Sequence, residues 1–517
     1  MKGGLRQSMA FLHTWAGLLF GWLLLAVFVT GTTAYFQDEI TRWMQPEIKG
    51  ERHLVASAEG AVDYMRRHAQ GAETWSIQLP GKRSVAAMGY WKEKGETYLQ
   101  WRDHAFMVDG RGVRVDARDT TGGWLLYRMH FDLHYVPVLW GRWTVGLAAM
   151  FMLVAIVSGV ITHRRIFADF FTLRPGKGQR SWLDAHNLGA VLALPFHVMI
   201  TYTGLVTLQA AYMPWGIAAA YERPADYHRE LTGIDAAPTR SGTFADPAPI
   251  AGMIAQARAR WNGGDPGFIA ILIPGDANSV VKITQDTGTS MATRGETLTF
   301  DAATGHMRTP PASRGGAAMT ESVMVGLHAG RFAPPALRWL YFLSGLMGSA
   351  MVATGLVLWT AKRRPRLPDP TRPHVGFRLV ERLNVATIAG LPFGIAVYFI
   401  ANRLLPSAMA HRAAWEANWL FIGWGALLLY VFLRPPRRAW IESLSMVAAA
   451  YAAVPAVNAL TTDRGLLRSL AAGDLVFAGF DLSMLVTAMG FAFAAWKLHR
   501  RPLAPVREAR PPRGDIA

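Results

Sequence analysis

Long apolar runs constrain this chain more than any other feature. Eight of them, roughly 11–36, 139–163, 184–208, 337–361, 383–403, 417–433, 439–459 and 475–497, are close to the ~20 residues that span a bilayer as a helix. Backbone in hydrocarbon must satisfy its own hydrogen bonds, so such runs predict helices. The expected fold is a mainly α membrane protein with eight transmembrane helices. The first run is too long for a removable signal peptide and lacks its small-residue cleavage site, so it reads as a span.

The chain carries a net charge of +17. Such an excess can signal nucleic acid, but its distribution follows membrane topology instead. Basic clusters end alternate spans: Arg164-Arg165, Lys362-Arg363-Arg364, Arg434 with Arg437-Arg438, and Lys497 with Arg500-Arg501, while Lys2 and Arg6 precede the first. The positive-inside rule predicts that these lie in the cytoplasm with both termini. The two long loops, 37–138 and 209–336, then face the other side, as do the short loops 404–416 and 460–474. The cytoplasmic loops are 164–183 and 362–382, a four-helix extension covers 383–497, and a basic tail covers 498–517. No cysteine is present, which excludes disulfides, Fe–S clusters, thiolate zinc sites and CxxCH haem attachment.

The first four spans read as a duplicated helix–loop–helix unit. His13 precedes Thr30-Gly31 by the same 18 residues that separate His186 from Thr203-Gly204. His134 leads to Ser158-Gly159 and Arg164-Arg165, and His328 leads to Thr354-Gly355 and Arg363-Arg364. Such repeats point to duplicated structural units. Both long loops share a grammar of one amphipathic helix (58–68 and 248–261) followed by strand-like runs: 75–79, 84–91, 97–108 and 113–117, then 268–273, 279–285 and 296–301. Alternation and Gly/Asp turns predict two small α+β modules. Neither contains a catalytic triad, a Gly-rich phosphate loop or a metalloprotease motif.

Several motifs carry a more specific resemblance: Leu12-His13-x-Trp15-x-Gly17-Leu18, Ser158-Gly-Val-Ile-Thr-His163-Arg-Arg, Arg180-Ser-Trp-Leu-Asp-Ala-His186, and Leu194-Pro-Phe-His197-Val-Met-Ile-Thr-Tyr-Thr-Gly204. With the paired Leu-His motifs they resemble the PepSY-associated transmembrane-helix family over about 8–365. That family includes iron-regulated inner-membrane proteins and haem-containing ferric-siderophore reductases. The resemblance implies PepSY-like periplasmic modules, a bacterial inner membrane and b-type haem. It does not extend to the last four spans.

Ionisable residues at membrane depth are rare and usually functional, and neutral imidazole is an axial haem ligand. His186 and His197 are 11 residues apart; on a continuous helix they share a face, about 16 Å apart along the axis. Topology places His13, His163 and His186 near the cytoplasmic side and His134 and His328 near the outer side, with His197 deeper than His186. Two haem b sites are expected, with four of these six histidines as ligands. The inner site would pair His186 with His13 or His163, and the outer site would use two of His134, His197 and His328. The repeat favours His134 with His328, whereas the spacing favours His197. An ordinary interfacial or capping role remains open for each residue taken alone. His130, His53, His68, His104, His228, His306, His374, His411 and His499 read as surface residues. Pro195 and Pro392 are expected to kink their spans.

The expected function is electron transfer across the membrane to a periplasmic ferric siderophore or other ferric chelate. There is no dinucleotide fingerprint and no cytoplasmic loop long enough for a flavin domain, so an external donor, a cytoplasmic reductase or a quinol, is implied. No nucleic-acid partner is expected. The alternatives are a membrane-anchored regulatory or peptidase-inhibitor module and a siderophore or iron transporter.

Overall fold

A computed structural model describes residues 4–96, 104–162, 172–223, 226–227, 238–308 and 315–501. The chain opens with α1 (Leu5–Ala34), α2 (Gln37–Met44) and α3 (Leu54–His68), followed by β1 (Thr74–Gln78), β2 (Ala87–Lys92), β3 (Phe106–Val108) and β4 (Arg114–Val115). Helices α4 (Gly123–Met129) and α5 (Val138–Thr162) complete the first unit. Then come α6 (Gln179–Leu192), α7 (Leu194–Thr207), α8 (Ile250–Arg260), β5 (Pro266–Leu272), β6 (Val280–Gln285), β7 (Thr297–Asp301), α9 (Gly316–Ala329) and α10 (Pro335–Arg363). The C-terminal part holds α11 (Val375–Ile388), α12 (Gly390–Leu404), α13 (Arg412–Phe432), α14 (Pro436–Thr461), α15 (Leu466–Ala471) and α16 (Leu475–Arg500).

The protein is a multi-pass membrane protein. Among the described residues, six helical segments are long and apolar enough to cross a bilayer: α1, α5, α10, α11 with α12, α14 and α16. A seventh exists if α6 and α7 count as one span, although they meet at a 67° bend. Eight were expected, so one expected run falls outside these seven. The eighth stretch does form a helix, α13, but Arg412, Glu416 and Asn418 in its first turns keep it out of that set.

The bend falls where Pro195 enters the first turn of α7. Proline has no N–H and its ring clashes with the carbonyl four residues back, so it kinks or breaks a helix. The shared-face arithmetic for His186 and His197 therefore does not apply. Their relation is set by the fold around the bend. The second expected kink, at Pro392, coincides with a break between α11 and α12 at Ala389.

The two long loops were expected to form separate modules. Their strands instead build one antiparallel seven-stranded sheet in the order β4-β3-β2-β1-β5-β6-β7. The halves join where β1 pairs with β5, with Ser76 opposite Ala270 and Trp75 opposite Ile271. Each half alone would leave an unpaired edge at this strand, and pairing removes both edges. Helices α3 and α8 contribute to one shared core, including Met65, Ile77, Met253, Ile269 and Phe300. Arg52 bonds Asp265 at 2.8 Å across the two loops.

The C-terminal helices pack through Leu391, Tyr398, Phe399, Leu420, Val447, Phe477 and Phe480, and Trp43 and Met44 of α2 are buried among them. A polar network accompanies this apolar seam. Trp43 Nε1 donates to Asp481 at 3.0 Å, Asn458 Nδ2 to Asp481 at 3.0 Å, and Arg403 Nε to Asn458 at 2.9 Å. Arg403 also lies over the Trp43 ring, 3.7 Å from its centre. Buried Arg412 pairs with buried Glu416, which also accepts from Asn402 and Thr120. The C-terminal helices are thereby fixed to α2 and to the segment before α4, beside α1.

Candidate paired-histidine sites

Two cavities lie between the helices of the first 363 residues. The first, about 360 Å³, is lined by residues of α1, α5, α6, α7 and α10, including His13, His186 and His197. The second, about 370 Å³, lies toward the sheet and is lined by His130 and His328 together with Tyr35, Gln37 and Arg83. Leu24 and Met152 line both, so the cavities share a wall.

In the first cavity the rings of His13 and His186 lie with centres 6.1 Å apart and their planes at 71°. In the second the rings of His130 and His328 are 5.8 Å apart. These distances suit two imidazoles sharing one metal centre. At a metal–nitrogen distance of about 2.0–2.1 Å, as for zinc, each ring centre sits about 3 Å from the ion, so opposed rings are about 6 Å apart. Among the described residues no group of three or more His, Asp or Glu side chains converges as a bare ion would require. Haem needs only axial ligands from the protein, and paired histidines match that demand.

All four rings are held by one device. His13 Nδ1 donates to the Ala155 carbonyl at 2.8 Å, and His186 Nδ1 to Met351 at 2.8 Å. His130 Nδ1 donates to Val27 at 2.7 Å, and His328 Nδ1 to Ile200 at 3.0 Å. In every case the accepting carbonyl lies one turn before a glycine against which the ring rests: Gly159, Gly355, Gly31 and Gly204. A Cβ added at Gly31 would lie 2.5 Å from His130, and one at Gly204 would lie 2.8 Å from His328. At Gly159 and Gly355 the nearest ring atoms would be 3.3 and 3.1 Å away. A carbonyl can only accept, so each Nδ1 carries the proton and Nε2 carries the lone pair. This is the tautomer and orientation that a metal-ligating histidine requires. The glycine lets the ring come close, and the preceding Ser or Thr bonds back to its own helix, as Thr30 does to Ala26 at 2.6 Å and Thr354 to Ala350 at 2.7 Å.

The repeated His and Ser/Thr-Gly motifs thus pack against one another, with His130 rather than His134 beside His328. The repeat favours His134 opposite His328, while the spacing favours His197. His134 lies instead on the protein's exterior, stacked on Phe421 of α13 with ring centres 5.3 Å apart. The backbone around it explains this: Leu133 and Tyr135 both have positive φ, forming a tight turn that carries His134 away from the cavity. His130, read from sequence as a surface residue, takes the position opposite His328. A signal for it exists, because His130 precedes Pro137 by seven residues and His328 precedes Pro335 by seven, each proline standing at the start of a long helix. Burial pushes the His130 imidazole below its ordinary pKa, and burial together with neighbouring His130 pushes His328 down to about 3. Both rings are therefore neutral near pH 7.

His197 belongs to neither pair. It is buried in α7, its ring 6.0 Å from Phe28 at the shared wall, and its Nε2 makes no hydrogen bond. It lines the first cavity and not the second, so the expected outer-site role finds no geometric support. His163 lies outside the described residues.

Charge is distributed asymmetrically in both cavities. The first has Lys362 and Arg363 at its end away from the sheet, and the second has Arg83, Arg142 and Arg331. The remaining walls are mostly aliphatic or aromatic. An amphipathic ligand with an apolar body and carboxylates fits such a lining.

Comparison with known proteins agrees with the motifs. The family described as the PepSY-associated TM region matches residues 10–362, and the chain belongs to it. An uncharacterized protein of Pseudomonas aeruginosa is 26% identical over 388 residues, covering 72% of this chain and 93% of the relative. The family match ends within the last turn of α10, so the C-terminal helices lie beyond it.

Proposed function

We propose that this member of the PepSY-associated TM family is a di-haem b electron-transfer protein of the bacterial inner membrane that reduces a periplasmic ferric siderophore or ferric chelate. The observation that carries the reading is the pair of opposed imidazole couples, His13 with His186 and His130 with His328, all four set in the same tautomer by a carbonyl one turn before a glycine. Haem bound at each couple supplies reversible one-electron exchange at its iron.

The residues around the couples have separable tasks. The Nδ1 bonds orient the rings and raise their basicity as ligands. Leu24 and Met152, which line both cavities, would keep the wall between them apolar. Lys362 and Arg363 at one end, and Arg331 at the other, would neutralise ligand carboxylates, while Arg83 and Arg142 are already paired with Asp38, Glu39 and Asp132. With the N-terminus and the basic ends of α5 and α10 cytoplasmic by the positive-inside rule, the first cavity is the donor side and the second, next to the sheet, is the acceptor side. The donor is an external reductase or quinol. Delivery of one electron to a ferric chelate gives Fe(II), which hard oxygen ligands hold less tightly, so iron is released.

The test is spectroscopic. Purified protein from haem-replete cells should show a b-type Soret band that sharpens and shifts on dithionite reduction. Prereduced protein should then reduce a ferric siderophore in stoichiometric amounts. A colourless preparation would sink the proposal. A haem-bearing protein that leaves ferric chelates untouched would retain the cofactor but lose the reductase reading.

A further inference from the structure

A third cavity, about 630 Å³, opens where the loop after α2 meets the corner between α14, α15 and α16. Arg42, Lys49, Arg464 and Arg468 line it with Asp463 and Asp474, and Glu47 also faces Arg464, which leaves a basic excess among these groups. The existing ion pairs leave much of this charge uncommitted. Arg42 and Arg464 share Asp474 at 3.4 and 3.7 Å, contacts too long for good charge-assisted hydrogen bonds. Lys49 meets Asp463 at 2.6 Å, but both are exposed, where such a pair contributes little. Arg42 Nε and Arg464 Nη1 are buried without a hydrogen-bond acceptor. A buried guanidinium donor left unmatched is costly, and a ligand oxyanion on the exposed parts of the same side chains would offset that cost. Arg464 is meanwhile held in place over Phe477, 4.7 Å from the ring centre.

Position adds to charge. Helix α2 begins with Gln37, which lines the second histidine cavity, and Arg42 lies on the same helix. Five residues of helix span about 7.5 Å, so a single short helix connects the basic cavity to the His130–His328 site. The cavity's volume is within the ~300–1,000 Å³ of small-molecule sites.

We infer that this cavity is the binding site for the ferric chelate, and that it selects polyanionic chelates of the catecholate or carboxylate class over neutral or cationic ones. The inference rests on the reductase reading for the identity of the ligand. It gives the C-terminal helices a function, because Arg464 and Arg468 lie outside the family-matched region while Arg42 and Lys49 lie inside it.

The test is binding rather than turnover. Full-length protein in detergent is titrated calorimetrically with the gallium(III) complex of a hexadentate tris-catecholate, which resists reduction, and with a neutral gallium(III) hydroxamate. The catecholate complex should bind more tightly, with affinity falling as salt rises. The rim variant K49Q/R468Q, whose side chains are exposed and whose folding is least at risk, should weaken it tenfold or more. R464Q should do the same, with hydroxamate binding unchanged. Equal binding of the catecholate complex to wild type and rim variant overturns the site, whatever the haem spectrum shows. Binding of glycerophosphate in its place, with no chelate binding, overturns it in favour of a lipid headgroup. Chelate binding without reduction by prereduced protein leaves this site standing and removes the reductase reading.

Discussion

His328 rests on Gly204 and donates from Nδ1 to the carbonyl of Ile200, one turn earlier on the same helix, while its ring faces His130. The same relation links His130 to Gly31 and Val27, His13 to Gly159 and Ala155, and His186 to Gly355 and Met351. Each long helix of the core thus serves as the seat for a histidine carried by another element.

The first prediction separates neighbouring histidines. H130A should lose one of two haems, and H134A should retain both, measured as haem per protein by pyridine haemochrome. H13A and H186A should each lose the other haem. Loss of haem in H134A but not H130A would reverse the assignment of the second site.

The glycine seats give a graded series. G31A and G204A place a methyl within 2.5 and 2.8 Å of a ring atom, so His130 or His328 must leave its position. G159A and G355A meet the rings at 3.3 and 3.1 Å, which a shift of a few tenths of an ångström relieves. The first two should abolish haem binding at the second site. The latter two should retain haem at the first site with a shifted midpoint potential, read by spectroelectrochemical titration.

Arg412 and Glu416 form a fully buried ion pair that ties α13 to the segment before α4. Removing one partner strands the other, so R412A should destabilise the protein by about 3–5 kcal/mol. The double variant R412M/E416M should recover much of that loss. Denaturation of the detergent-solubilised chain followed by tryptophan fluorescence measures both.

Asp276 anchors the segment before α8 to the sheet. Its carboxylate accepts from the backbone N–H groups of Ser241, Gly242 and Asn278 and from the Ser241 hydroxyl. These bonds hold its pKa below the usual carboxylate range. A depressed folded-state value means the stabilisation is complete above the unfolded value of about 3.9 and is lost as pH falls below it. D276N should be less stable than wild type at pH 7, with the difference shrinking toward pH 3, as read from thermal unfolding at both pH values.

The sequence by itself determined the local elements. Apolar length identified the spanning helices, Pro195 marked the bend, strand alternation located the seven strands, and the repeated His and Ser/Thr-Gly spacings identified three of the four paired rings. These features depend on residues close together in the chain, where periodicity and proline or glycine stereochemistry act. The tertiary structure alone decided what meets what. The pairing of β1 with β5 joined two expected modules into one sheet, because each half had an edge to cover. The positive φ angles at Leu133 and Tyr135 turned His134 outward and left His130 opposite His328. The C-terminal helices, without a motif of their own, came to complete a basic cavity with α2. Contacts between distant segments are set by packing and burial, and periodicity within one segment does not encode them; only a repeated spacing, as from His130 to Pro137 and His328 to Pro335, carries a trace of them.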